Sequence, residues 1–291
     1  MIDGVIESVV FGNLQMPGEL VRLVIAFAGV SIAAYYDVFN RKNIPDAFLY
    51  AFLALSFLVN LFFYQEQLFI FSIGVAAFFS AIGYVFYRVG QIGGADLILI
   101  ASLMLLLPIS PSFVGMIFGM PFIFPIMIFA GVLFSLYVLI SFAVKLMKQE
   151  THPQYLYLLM AIPYLLFMYV YIFILSAEVA FSPVFILIFT ILFISLIFFM
   201  IYRNDITMLL AEKMDVSQVE PEDVLALELM DSETVKKYEL KRLASGKEID
   251  RMKELGVGEV WVYTKLPPFI PFILAGMFLA LFFSESLIFI G

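Results

Sequence analysis

The chain has 291 residues, of which 64% are hydrophobic and only 14% charged, with a mean hydropathy of +1.05 and a net charge of −8. Soluble domains carry about 25% charged residues, and a watery surface does not accommodate 34 Phe, 15 Tyr and 15 Met. This composition excludes a soluble globular enzyme and a disordered chain. The acidic balance argues against a nucleic-acid partner, because phosphate binding needs clustered Lys and Arg. There is no cysteine and one histidine, His152. Disulfides, iron–sulfur clusters, thiolate zinc sites, Cys nucleophiles and histidine-built metal sites are therefore excluded. Any chemistry is expected without metal or cofactor, from carboxylates, hydroxyls or amines.

The first 19 residues carry Asp3, Glu7 and Glu19 and no basic residue, unlike a secretory signal peptide. A membrane-crossing helix needs about 20 mostly apolar residues. Eight segments fit, at 20–37, 47–64, 67–87, 96–109, 121–145, 155–176, 182–202 and 268–290. The apolar stretch Leu97–Val144 is 48 residues long, enough for two spans. Pro108, Pro111 and Pro121 place the turn between them.

Positive charge sets the expected orientation. Arg41 and Lys42 follow span 1, Arg88 follows span 3, Lys145 and Lys148 follow span 5, and ten Lys and Arg lie between spans 7 and 8. The alternate loops have none, and Arg22 is the one basic residue at the opposite end. The N-terminus is expected outside, with the basic loops cytoplasmic.

Residues 203–265 hold 14 acidic and 10 basic residues, the one region of soluble composition. Ser217-x-x-Glu220 before Pro221 predicts a short capped helix ending near Met230. Ser232–Leu243 and Lys247–Leu255 read as amphipathic helices, the second capped by Gly256. Glu259–Thr264 alternates and reads as a strand. Together these readings give an all-α polytopic membrane protein of about eight transmembrane helices, with a small α+β cytoplasmic domain inserted before the last helix. The expected units are a membrane domain (1–202), the cytoplasmic domain (203–266) and the last helix (267–291).

Carboxylates at membrane depth are costly and are functional candidates. Asp37 ends span 1 and Asp96 opens span 4, 59 residues later and at the same expected cytoplasmic depth. Two facing carboxyls share one proton, so one activates water while the other polarises a carbonyl. The helix macrodipole favours an anion at Asp96 and disfavours one at Asp37. That predicts Asp96 as base and Asp37 as proton holder.

The segment from Tyr36-Asp37 through Ile44-Pro45-Asp46 resembles the first-aspartate motif of type IV prepilin peptidases. Gly93-Gly94-Ala95-Asp96 resembles their second motif, G-x-G-D, with Ala95 in place of the second glycine. Leu97-Ile98 replaces the lysine that often follows that aspartate two residues on. The lack of cysteines resembles the archaeal branch, which includes the preflagellin (prearchaellin) peptidases and cleaves without methylating. Glu259–Pro271 resembles the end of archaeal members, although those are counted with six spans. Presenilin-like proteases share Tyr-Asp and G-x-G-D, but on consecutive spans and without Ile-Pro-Asp.

The resemblance implies a plasma-membrane aspartic endopeptidase that removes basic leaders from prepilin-like or preflagellin-like precursors at the inner interface. Asp37 and Asp96 would be catalytic, supported by Gly93, Gly94, Ala95, Pro45 and Asp46. Asp46 itself reads as a helix-start charge, and its neighbour Asn43 as a candidate cap. Glu220, Glu222, Asp223 and Glu228 are weak candidates for attracting the leader, since such a run is usually a solvated helix face. The competing reading is a proton- or cation-coupled transporter with Asp37 and Asp96 as a relay. His152 reads as a solvated loop residue.

Overall fold

The computed structural model describes residues 14–40, 44–114, 120–175, 183–221 and 223–283. It is mostly helical, and each predicted apolar segment forms a helix. In chain order these are α1 (Glu19–Phe39), α2 (Asp46–Phe62), α3 (Glu66–Arg88), α4 (Gly94–Leu106) and α5 (Ile123–Leu146). A composite segment follows, with a 3₁₀ turn (Tyr155–Met160), α6 (Ala161–Val170) and a π turn (Tyr171–Leu175). Then come α7 (Pro183–Ile201) and, after the polar segment, α11 (Ile270–Phe283). Pro108, Pro111 and Pro121 lie between α4 and α5, as predicted. Among the described residues, five helices are long and apolar enough to cross a membrane, and α2, α4 and α11 are shorter apolar helices. Leu156, Ile162, Leu165 and Leu166 face outward, as expected of lipid-facing surface. These features fit a multi-pass membrane protein. Arg41, Lys42 and Asn43 lie outside the described residues.

In the apolar bundle, α4 is flanked by α2 and α3 and touches α1, while α11 packs along α5 and α1. Small residues permit the closest approaches. A Cβ placed on Gly276 of α11 would lie 2.5 Å from the Ile126 carbonyl oxygen and 2.8 Å from the Ala130 nitrogen of α5. Gly29 of α1 likewise receives the Phe52 ring of α2.

Helix α4 has 13 residues, roughly 20 Å of rise, against roughly 30 Å of hydrocarbon. Its last carbonyls therefore need partners inside the protein. The fully buried Arg22 of α1 donates from Nη1 to the carbonyls of Leu105 and Leu106, both at 3.3 Å. Asn60 of α2 donates to Leu105 at 2.7 Å and accepts from Arg22 at 3.0 Å. The chain that follows is irregular but buried from Leu107 to Pro111. Arg22, the exception to the charge pattern of the loops, is thus an interior cap for a neighbouring helix.

The polar segment holds α8 (Arg203–Leu210), β1 (Ala211–Asp215), α9 (Ser232–Lys237), α10 (Gly246–Glu254) and β2 (Glu259–Tyr263). The strands pair antiparallel, with Ala211 opposite Tyr263 and Asp215 opposite Glu259. Val216, Leu225, Met252, Val260 and Val262 form a core separate from that of the bundle. The predicted helix over Ser217–Met230 is not formed; only 3₁₀ turns occur, at Val216–Gln218 and Leu227–Leu229. Its backbone is committed elsewhere: Leu225 donates to Arg242, Ala226 to Trp261, and Val224 accepts from Tyr263. Helix α9 is also shorter than predicted. Glu239 takes a left-handed conformation (φ 46°), after which Leu243 bridges to Val224. The β2 and α10 predictions hold, with Gly256 at φ 70° just beyond α10. Strand β1 was not foreseen, because Ala211-Glu212-Lys213-Met214-Asp215 lacks apolar alternation and is a strand through pairing with β2.

Two outcomes are expected. Arg22→Met leaves the Leu106 carbonyl without its donor, while Asn60 still pairs that of Leu105, and lowers stability by about 1–3 kcal/mol. Exposed Arg88→Met changes it by less than about 0.5 kcal/mol. Unfolding midpoints in detergent compare the two. Gly276→Ala forces α11 and α5 apart and destabilises by about 1–3 kcal/mol, whereas Gly74→Ala, with open space around it, is neutral or stabilising on the same assay.

Candidate active site

Asp37 lies near the end of α1 and is buried, at 8% exposure. Its Oδ2 accepts a hydrogen bond from the backbone amide of Ile270 at 3.0 Å. Ile270 is the first residue of α11, whose local sequence is Leu266-Pro267-Pro268-Phe269-Ile270-Pro271. The first amides of a helix have no partner within it. Pro271 brings no N–H, and the amides of Phe272 and Ile273 turn back to the Phe269 carbonyl. The Ile270 amide is left as an outward donor at the positive end of α11, and Asp37 meets it.

Asp96 stands in the first turn of α4, three residues after Gly93, the N-cap position. Its carboxylate accepts the backbone amide of Gly93, half of a capping box, and interacts electrostatically with Asp37. Gly93 has an ordinary φ of −71°. Its requirement is space: a Cβ there would sit 3.1 Å from Asp96 Oδ2. Backbone freedom in this loop belongs to Gly90, with φ 73°. Gly90 faces the side chains of Val224 and Arg242, so the loop before Asp96 leans on the polar segment.

These contacts bear on the dipole argument for the predicted division of labour between the carboxylates. Asp37 does end its own helix, where the macrodipole disfavours an anion, but it also faces the N-terminus of α11, where the macrodipole favours one. Both carboxylates thus hold a helix-start amide, and the dipole argument no longer separates them. The Ile270 amide was not foreseen. The signal available was a short run of three prolines, Pro267, Pro268 and Pro271, at the start of the last helix.

The other motif positions fall close by. Gly94 opens α4 and Ala95 packs on the bundle core. Pro45 precedes α2, its carbonyl accepting the amides of Phe48 and Leu49, and Asp46 is an exposed charge in the first turn of α2. Among the described residues, no group of three or more His, Asp or Glu is arranged to hold a metal ion.

The acidic residues of the polar segment do not form one helix face. Asp223 Oδ2 accepts the Glu220 amide at 2.8 Å in a tight turn. Burial pushes the Asp223 carboxyl up, opposed by that hydrogen bond. Glu228 accepts a hydrogen bond from the Tyr263 hydroxyl and lies 3.6 Å from Arg242. Burial first, and then Glu228, push the Tyr263 hydroxyl up to about 12. Glu222 lies outside the described residues. His152 is exposed, as predicted, while its backbone amide donates to the buried Asp205.

No curated protein and no solved structure matches the chain. Residues 24–139 match the family model of the type IV leader peptidase family. That stretch runs from α1 into α5 and contains both aspartates with their flanking motifs. Through this segment, which is less than half of its length, the chain is similar to the type IV leader peptidase family.

Proposed function

We propose that the chain is a membrane aspartic endopeptidase that cleaves the short basic leader from prepilin-like or preflagellin-like precursors, using Asp37, Asp96 and water. The observation that carries this reading is the family match over both aspartate motifs. The electrostatic interaction between the two carboxyls supports it further. The absence of cysteines resembles the archaeal branch, so no methyl transfer is expected. The transporter reading is not favoured, because nothing in the family match supports it.

In the proposed reaction the two carboxyls hold one proton between them. The ionised carboxylate takes a proton from water as its oxygen bonds to the scissile carbonyl carbon. The protonated partner gives its proton to the carbonyl oxygen, forming a neutral gem-diol. Proton transfer to the amide nitrogen then breaks the C–N bond. This releases the leader's carboxylate and the mature protein's new amino group.

The proposed setting is the plasma membrane, with eight spans, the N-terminus outside and the aspartates at the cytoplasmic face. The basic residues after spans 1, 3, 5 and 7 support that orientation. The short helices α2, α4 and α11 count as spans in this reading, and the polar segment forms the cytoplasmic domain at 203–266. A precursor whose basic leader stays cytoplasmic then presents its scissile bond at the depth of Asp37 and Asp96.

Wild type, Asp37→Asn and Asp96→Asn, each expressed with a prepilin-like precursor, provide the test. Wild type yields the shorter, leader-free band. Each substitution lowers the cleavage rate by about 10³-fold or more, since either loss removes the shared-proton pair. Cutting at wild-type rate by both variants would overturn the reading. Loss of ion flux with intact cutting would instead support the relay.

A further inference from the structure

We infer that the amide of Ile270 is the positioning group for Asp37, so that the N-terminus of the last helix and its proline-rich linker form part of the candidate active site. The inference rests on the proposed protease reading for its catalytic consequence and on geometry for the rest. The Ile270 amide donates to Asp37 Oδ2 at 3.0 Å in a buried setting, across 233 residues of sequence. Ile270 is 1% exposed, so water has little access to compete for the bond. Pro267 and Pro268 restrict the approach to α11, and Pro271 brings no N–H after that of Ile270. At the far side of the linker, the Lys265 amide is fixed to the Leu210 carbonyl at 3.1 Å, beside the β1–β2 sheet. The carboxylate of Asp37 is thus held by a donor whose position is set by the bundle on one side and by the polar segment on the other. A carboxyl that must face both Asp96 and a substrate carbonyl needs one fixed rotamer, and a charge-assisted bond from a rigid amide supplies it.

Ile270→Pro removes the N–H while keeping a φ suited to the first helical position. Ile270→Ala removes the same packing and keeps the N–H, so the comparison isolates the hydrogen bond. In leader cleavage, Ile270→Pro is expected to lower kcat by about tenfold or more relative to Ile270→Ala with KM unchanged, the size expected for losing a hydrogen bond to a charged group. In parallel, infrared spectra of protein carrying ¹³C-labelled aspartate are recorded. The Asp37 carboxylate band is identified by its loss in Asp37→Asn. It is expected to shift in Ile270→Pro and to stay in place in Ile270→Ala. Equal kcat and equal infrared bands in the two Ile270 variants would overturn the inference. A band shift in protein whose cleavage does not depend on Asp37 would uphold the positioning role and overturn the protease reading instead. Circular dichroism melts confirm that both variants are folded.

Discussion

The fold depends on the requirement that a 13-residue helix buried in apolar surroundings have its backbone ends satisfied by other parts of the chain. Helix α4 meets it at one end through Arg22 and Asn60 and at the other through the Asp96–Gly93 turn. Arg22 and Asp37 both belong to α1 and lie 15 residues apart. That is roughly 22 Å along a helix, close to the roughly 20 Å of α4. Once Arg22 is seated on the carbonyl end of α4, Asp37 falls near its amide end, where Asp96 stands. The interior arginine therefore sets the register that brings the two carboxyls to one end of the bundle. It does so from the end farther from them.

The pair is also supported from outside that frame. A buried carboxylate at the end of its own helix is in poor electrostatic surroundings. The start of α11 offsets this by aiming an unpaired amide at Asp37. Asp96 receives the same kind of support from its own helix. Two carboxylates backed by amides from two different helices hold negative charge in a place where lipid-facing surface offers nothing to solvate it.

Much of this was legible in the sequence and some was not, for identifiable reasons. Long apolar runs dictate helices whatever their neighbours, so each apolar segment is helical over most of its described residues. Asp37 and Asp96 stood out because the bundle has so few charges. Arg22 stood out only as an exception to the charge pattern, because its partners are carbonyls, which every residue possesses and no sequence pattern marks. The Ile270 amide was hidden for the same reason. The helix expected at Ser217–Met230 failed because a capping signature describes only local preference. There the chain instead pairs its amides and carbonyls with Arg242, Trp261 and Tyr263. Strand β1 existed only in its pairing, so no periodicity announced it.

The notch at Gly276 gives the last helix a fulcrum. A backbone oxygen of α5 sits where a side chain would begin, so the two helices are in direct backbone contact there. Ile270 lies six residues away, roughly 9 Å along the axis. A tilt of about 10° about that point carries its amide roughly 1.5 Å, which takes a 3.0 Å hydrogen bond beyond its working range. Holding Asp37 through this amide therefore requires the last helix to keep its tilt about the Gly276 contact to within a few degrees.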